Sequence, residues 1–162
     1  MTDFMEPTSG LYVEDAFRHF LTREAQRATR YQDFFSICLV RADRPEGPVG
    51  EVHQALIKKI SQFLRSTDMV GQVHDGIAIL LLHTEGADAV RVAERIRGQI
   101  EQVAFSKLAG ESPRQVTLSV GGVSFPRDGY NDTVLLSRAQ AHLNEAARRG
   151  GNQVVYASEP RP

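Results

Sequence analysis

The chain has 162 residues, a formal net charge of -1, 41% hydrophobic side chains and a single cysteine. That length and apolar content suffice to bury a core without disulfides or a structural metal, and they predict one compact domain over residues 1–162. Acidic and basic residues are interspersed, which excludes a global field directed at nucleic acid or an anionic membrane and leaves room only for a local anion site.

The first ten residues carry no basic stretch followed by an apolar one. No apolar run approaches the roughly 18 residues that span a bilayer, so a soluble, cytoplasmic protein is expected. Val13, Phe17, Phe20, Leu21 and Ala25 recur at helical spacing, with Arg18, Arg23, Arg27 and Arg30 on other faces, and predict an amphipathic first helix. Phe34 to Val40 is aromatic and β-branched and reads as a buried strand. It holds Cys38, whose setting suits a reducing compartment and a buried thiol. Arg44 to Pro48 is a loop by its Pro and Gly content. Val52, Leu56, Ile57, Ile60, Phe63 and Leu64 form a second helical stripe. Met69 to Val73 and Ile77 to Leu82 read as two strands around a tight turn at His74-Asp75-Gly76, where Asp-Gly supplies the positive φ of a hairpin.

A third helix follows from Val90, Ala93, Ile96, Ile100 and Val103, and a polar loop with Gly110 and Pro113 comes after it. Val116, Leu118 and Val120 alternate with Thr117 and Ser119, the pattern of a half-buried strand. Asn131 to Thr133 offer capping side chains to a fourth helix bearing Leu135, Leu136, Ala139, Leu143 and Ala146. Gly150-Gly151 closes that helix, and Val154 to Tyr156 reads as an edge strand. The order is α-β-α-β-β-α-β-α-β, a sheet covered by helices.

Local motifs narrow this order to one family. Glu6-Pro-Thr-Ser-Gly-Leu-Tyr12 resembles the DPLTGLYN opening of GGDEF domains, and Val116 to Pro126 resembles their VTxSIGVAxFP strand. Ser137-Arg-Ala through Gly150-Gly-Asn-Gln-Val-Val-Tyr156 is similar to the family's RADxALYxAKxxGRNxVxxY segment. Arg65 to Val70 and Ala93 to Arg97 look like its RxxDLxxR and AERIR segments. The resemblance runs in one register over nearly the whole chain. It implies an α/β fold of the nucleotidyl-cyclase-like kind, a central, mostly antiparallel five-stranded sheet flanked by helices.

The family joins two GTP molecules into cyclic di-GMP, a reaction that needs carboxylates for magnesium and basic residues for phosphate. At the position of the family's first metal-holding aspartate this chain has Arg41, with Asp43 nearby, and the acidic signature hairpin is replaced by His74-Asp75-Gly76-Ile77. The segment from Pro45 to Glu51 is shorter than the family's and lacks its guanine-binding asparagine and aspartate. Ala147 and Gly151 stand where the family has a lysine and an arginine. The expectation is therefore a degenerate domain that is not an enzyme, with no catalytic residues, no metal and no cofactor.

The resemblance implies a second site. Many family members are inhibited by their product at an RxxD motif placed five residues before the hairpin, and Arg65 and Asp68 stand at that spacing. A guanidinium can donate two parallel hydrogen bonds to guanine or to phosphate, and a carboxylate can accept from the guanine N–H edge. Arg91 and Arg95, one turn apart in the AERIR helix, can add to a phosphodiester. Arg65, Asp68, Arg91 and Arg95 are thus the expected cyclic di-GMP site of a regulatory module that signals to a protein partner. An intercalated ligand dimer bridging two domains would favour a homodimer. The alternative is a nucleotide-independent interaction or dimerisation scaffold, favoured if Arg65 and Asp68 are tied up in intramolecular pairs. A third reading keeps GTP binding without turnover.

Overall fold

A computed structural model describes Met5 and residues 11–43, 51–73, 76–105 and 114–156. In chain order these form α1 (Glu14–Tyr31), β1 (Phe35–Ala42), α2 (Glu51–Ser61), β2 (Met69–Val73), β3 (Gly76–Leu82), α3 (Gly86–Glu101), β4 (Ala104–Phe105), β5 (Arg114–Gln115), β6 (Leu118–Phe125), α4 (Asp132–Arg148) and β7 (Gln153–Tyr156). Strands β2-β3-β1-β6-β7 make one five-stranded sheet in that order. Every pairing is antiparallel except β6 with β7, which follows the crossover through α4 and is parallel. The expected architecture, a mostly antiparallel five-stranded sheet flanked by helices, is the observed one.

Alternation along β1 divides the core. Phe35, Ile37 and Leu39 point to the face covered by α1 and α4, where they meet Phe17, Leu21, Leu135 and Leu143. Cys38 and Val40 point to the opposite face, against Leu56 and Ile60 of α2 and Ile96 and Ile100 of α3. The expected buried thiol is there: Cys38 is 2% exposed, and burial pushes its pKa up to about 12, which keeps it protonated and unreactive. The ends of α4 are also as its sequence predicts. Asn131 Oδ1 accepts from Val134 N at 2.9 Å, and Gly150 and Gly151 leave the helix at φ 110° and 76°.

Two expectations are corrected. Phe63 and Leu64 carry the second helical stripe past the end of α2, in tight turns whose amides donate to Ile60 O and Ser61 O. The strand expected to be half-buried over 116–120 runs instead from Leu118 to Phe125 and is buried throughout, because β6 lies inside the sheet between β1 and β7 with helices on both faces. Ser119 is fully buried there, so its hydroxyl marks an internal hydrogen bond and not a solvent face. The polar loop expected after α3, with Gly110 and Pro113, lies outside the described residues, and a two-stranded ribbon, β4 with β5, flanks it. The turn at His74-Asp75 and the loop at Arg44 to Pro48 lie outside the described residues.

The link from β3 to α3 is held from several sides. Asp33, just after α1, accepts from Arg27 Nη2 at 2.7 Å and sits 2.9 Å from His83 Nδ1, while Ser36 Oγ donates to Thr84 O at 2.7 Å. The Arg27 guanidinium holds the Asp33 carboxyl down at about 2, below its ordinary 3.8. A depressed folded-state pKa means stability present above the unfolded value and lost as pH falls toward 2. Asp33→Asn should therefore cost on the order of 1 kcal/mol at neutral pH after solvent screening, and the difference should vanish between pH 4 and 2 in paired thermal melts. A gap that persists at pH 2 would assign the effect to packing. Among the described residues, no helix is long and apolar enough to cross a membrane.

Candidate functional site

Arg65 and Asp68 flank the turn between α2 and β2. The turn closes on itself: Asp68 N donates to Arg65 O at 3.0 Å, and Arg65 N donates to Asp68 Oδ2 at 3.0 Å. The Arg65 guanidinium then reaches across to the end of β3. Its Nη2 donates to Leu82 O at 2.7 Å and to Thr84 Oγ1 at 2.9 Å, and lies 3.4 Å from Asp68 Oδ1. The Asp68 carboxylate is 3% exposed and the Arg65 side chain 59%, so the guanidinium is the half of the pair that solvent and ligands can reach.

Arg95 is brought to the same corner. Its guanidinium lies 5.9 Å from the centre of the Phe63 ring, and its Nη2 donates to Phe63 O at 3.4 Å, two residues before Arg65. Arg91, a turn earlier on α3, pairs with Asp88 at 3.1 Å at an exposed position. Arg91 does not pair with Glu94, one turn further along α3. Glu94 pairs with Arg97 instead. The structure thus joins Arg65, Asp68 and Arg95 around one turn and leaves Arg91 one turn earlier on α3, paired with Asp88.

A second polar cluster lies at the end of β1. The Asp43 carboxylate accepts from Thr117 Oγ1 at 2.6 Å, from Asn152 N at 2.8 Å and from Ser119 Oγ, while Asp43 N donates to Thr117 O at 3.0 Å. The Asn152 side chain continues outward, accepting from Arg97 Nη1 at 2.9 Å and donating to Glu101. Asp43 therefore ties β1 to β6 and to the turn before β7. Arg41 is the penultimate residue of β1, opposite Ser119 of β6.

The family described as "Diguanylate cyclase, GGDEF domain" matches residues 49–153. The chain belongs to this family. Probable diguanylate cyclase DgcT of Escherichia coli (strain K12) is 29% identical over 110 residues, 67% of this chain and 24% of that protein, so the chain spans about a quarter of that relative's length. Among solved structures, the GGDEF domain of TpbB (or YfiN) from Pseudomonas aeruginosa superposes with a TM-score of 0.85 at 22% identity, over 95% of this chain and 94% of that one. The GGDEF domain of DgcB from Caulobacter crescentus, in complex with c-di-GMP, gives 0.84 at 16% identity, with 96% of both chains covered.

Membership in the GGDEF family corrects the expectation that the chain is not an enzyme. The family is one of diguanylate cyclases, the curated relative is named as a probable one, and nothing among the described residues establishes a degenerate active site. That expectation rested on Arg41, Ala147 and Gly151, which lie among the described residues, and on the hairpin tip and the loop after β1, which do not. Sequence reasoning also missed the partners that fix the Arg65 corner. Leu82 contributes a backbone carbonyl, which any residue carries, and Thr84 and Phe63 have no motif of their own. The Asp43 cluster had a partial signal in Thr117 and Ser119, which alternate with apolar residues at the start of β6, but nothing in that alternation pointed to a carboxylate just after β1.

Proposed function

We propose that this GGDEF domain works in cyclic di-GMP signalling by binding the dinucleotide at Arg65 and Asp68, with Arg95 and Arg91 as additional cationic groups, and that it conveys occupancy to a protein partner. The reading covers residues 1–162 as one domain, and a ligand dimer shared between two copies would make a homodimer. The observation that carries it is the Arg65–Asp68 turn, in which an exposed guanidinium is oriented by a buried carboxylate. Such a fork suits a guanine edge or a phosphodiester, and an unoriented arginine would lose more side-chain entropy on binding. Arg95, held against Phe63, brings a second positive charge beside the same turn. The DgcB neighbour supports the choice of ligand.

One observation favours the interaction scaffold: Arg65 is already engaged with Leu82, Thr84 and Asp68. Its other requirement, an exposed apolar face, has little support. The large apolar side chains exposed among the described residues are Met5, Tyr31 and Tyr130, from three separate segments.

Calorimetric titration of cyclic di-GMP separates the two. The expected result is micromolar binding by the wild type, weakened roughly tenfold to a hundredfold in Arg65→Ala, as the loss of a charge-assisted, bidentate contact implies. Thermal melts of the variant verify its fold. GTP with magnesium, titrated in parallel, distinguishes a dinucleotide site from a triphosphate site. No heat from cyclic di-GMP with the wild type would leave the scaffold standing.

A further inference from the structure

The Arg65 guanidinium is accessible but not free. Arginine has one donor on Nε and two on each Nη, and the fork it offers a planar ligand is either the Nη1–Nη2 end or the Nε–Nη2 edge, both of which draw on Nη2. Here Nη2 serves Leu82 O, Thr84 Oγ1 and Asp68, and Nε lies 3.5 Å from Asp68 Oδ2. A ligand that takes the Nη1–Nη2 fork must displace the contacts to the end of β3, whereas one that takes the Nε–Nη2 edge must displace Asp68.

Those contacts end on a junction. Leu82 is the last residue of β3, paired across the sheet with Phe35, and its carbonyl accepts from both Arg65 Nη2 and Thr84 Oγ1. His83, at φ 51°, reaches Asp33 and through it Arg27 of α1. Thr84 O receives Ser36 Oγ from β1, and Ser36 in turn contacts Ser124 of β6 at 2.9 Å. The junction thus joins the α2–β2 turn to α1, β1 and β6.

We propose that Arg65 is a latch: in the unliganded domain it pins the β3–α3 junction to the α2–β2 turn, and binding of a guanine dinucleotide transfers its fork from Leu82 and Thr84 to the ligand, loosening the junction. This rests on the cyclic di-GMP reading given above. It adds that affinity is set by an intramolecular competitor, and that occupancy is transmitted to the junction by release and not by added contacts. Thr84 is the adjustable part. Its side chain is buried, and valine matches its shape while removing the oxygen that Arg65 holds.

The test is titration of cyclic di-GMP into wild type, Thr84→Val and Thr84→Ser, with hydrogen exchange at the end of β3 followed in the wild type. Removing one hydrogen bond from the latched state should tighten binding about three- to tenfold in Thr84→Val, while Thr84→Ser, which keeps the hydroxyl, should bind as the wild type does. Exchange over residues 81–85 should quicken on binding, which needs no variant to fold. Equal or weaker binding by a folded Thr84→Val, or slowed exchange at the junction, would overturn the latch and leave the binding site in place. Absence of binding in wild type and Thr84→Val alike would overturn the binding site and the latch with it.

Discussion

Gly121→Ala is expected to destabilise the domain by about 3 kcal/mol, a fall in melting temperature of roughly 6–12 °C for a chain of this size. A Cβ at Gly121 would stand 2.2 Å from Leu143 N and 2.4 Å from Ala139 O, both backbone atoms of α4. Backbone cannot rotate away as a side chain does, so the whole helix must lift. Lifting it separates Leu135, Ala139 and Leu143 from the sheet face they fill and strains the contact of His142 Nδ1 with Gly122 O at 2.9 Å. Gly98→Ala gives the matching control. Gly98 lies within α3 with nothing near its missing Cβ, so alanine there should stabilise by up to about 1 kcal/mol through helix propensity. Melts followed by circular dichroism decide the matter, and a Gly121→Ala shift under about 2 °C would show that the approach of α4 to β6 is not limiting.

The position of Gly121 also shows what the sequence could and could not convey. The helical stripes and strand runs are local periodicities, and they located the four helices and the five strands of the sheet seen among the described residues. Gly121-Gly122 could be read as part of a family motif, but the reason for glycine at 121 is a helix that returns some twenty residues later to press on the strand, and at 122 it is the ring of Tyr156 from β7. The burial of β6 was misjudged for the same cause. Thr117 and Ser119 look like a solvent face to any rule based on alternation, whereas the Asp43 carboxylate just after β1 takes both hydroxyls and Ser119 is fully buried.

The candidate site was half legible. Arg65 and Asp68 are three residues apart, and a turn brings such a pair together through local geometry alone. Arg91 and Arg95 share a helical face by spacing, yet only Arg95 reaches the turn. Phe63 beside Arg65 provides it with both a ring and a carbonyl, while Arg91 has Asp88 within its own helix. Which of two equally spaced arginines approaches a site depends on tertiary neighbours, and that information is not in the spacing. The engagement of Arg65 with Leu82 and Thr84 depends in the same way on the path of the chain through β2 and β3.

Asp43→Ala should cost about 3 kcal/mol in thermal melts while leaving cyclic di-GMP binding at the Arg65 corner unchanged. Removal of the carboxylate strips acceptors from the hydroxyls of Thr117 and Ser119 and from Asn152 N, and unpaired donors in a partly buried setting are expensive. Asn152 also carries the connection to Arg97 and Glu101 of α3, so the start of β7 should fray. Asp43→Asn should cost only about 1 kcal/mol. Its amide oxygen can take the place of Oδ2, which receives both Thr117 and Asn152, leaving Ser119 to accept from the amide nitrogen. The sign of the alanine result in the presence of a chelator separates two roles for this carboxylate. A carboxylate kept for a metal is a burden on the metal-free fold, and truncating it should leave stability the same or raise it. A carboxylate that fastens three segments should lower stability whether or not a metal is present, and the three donors converging on Asp43 predict that second outcome.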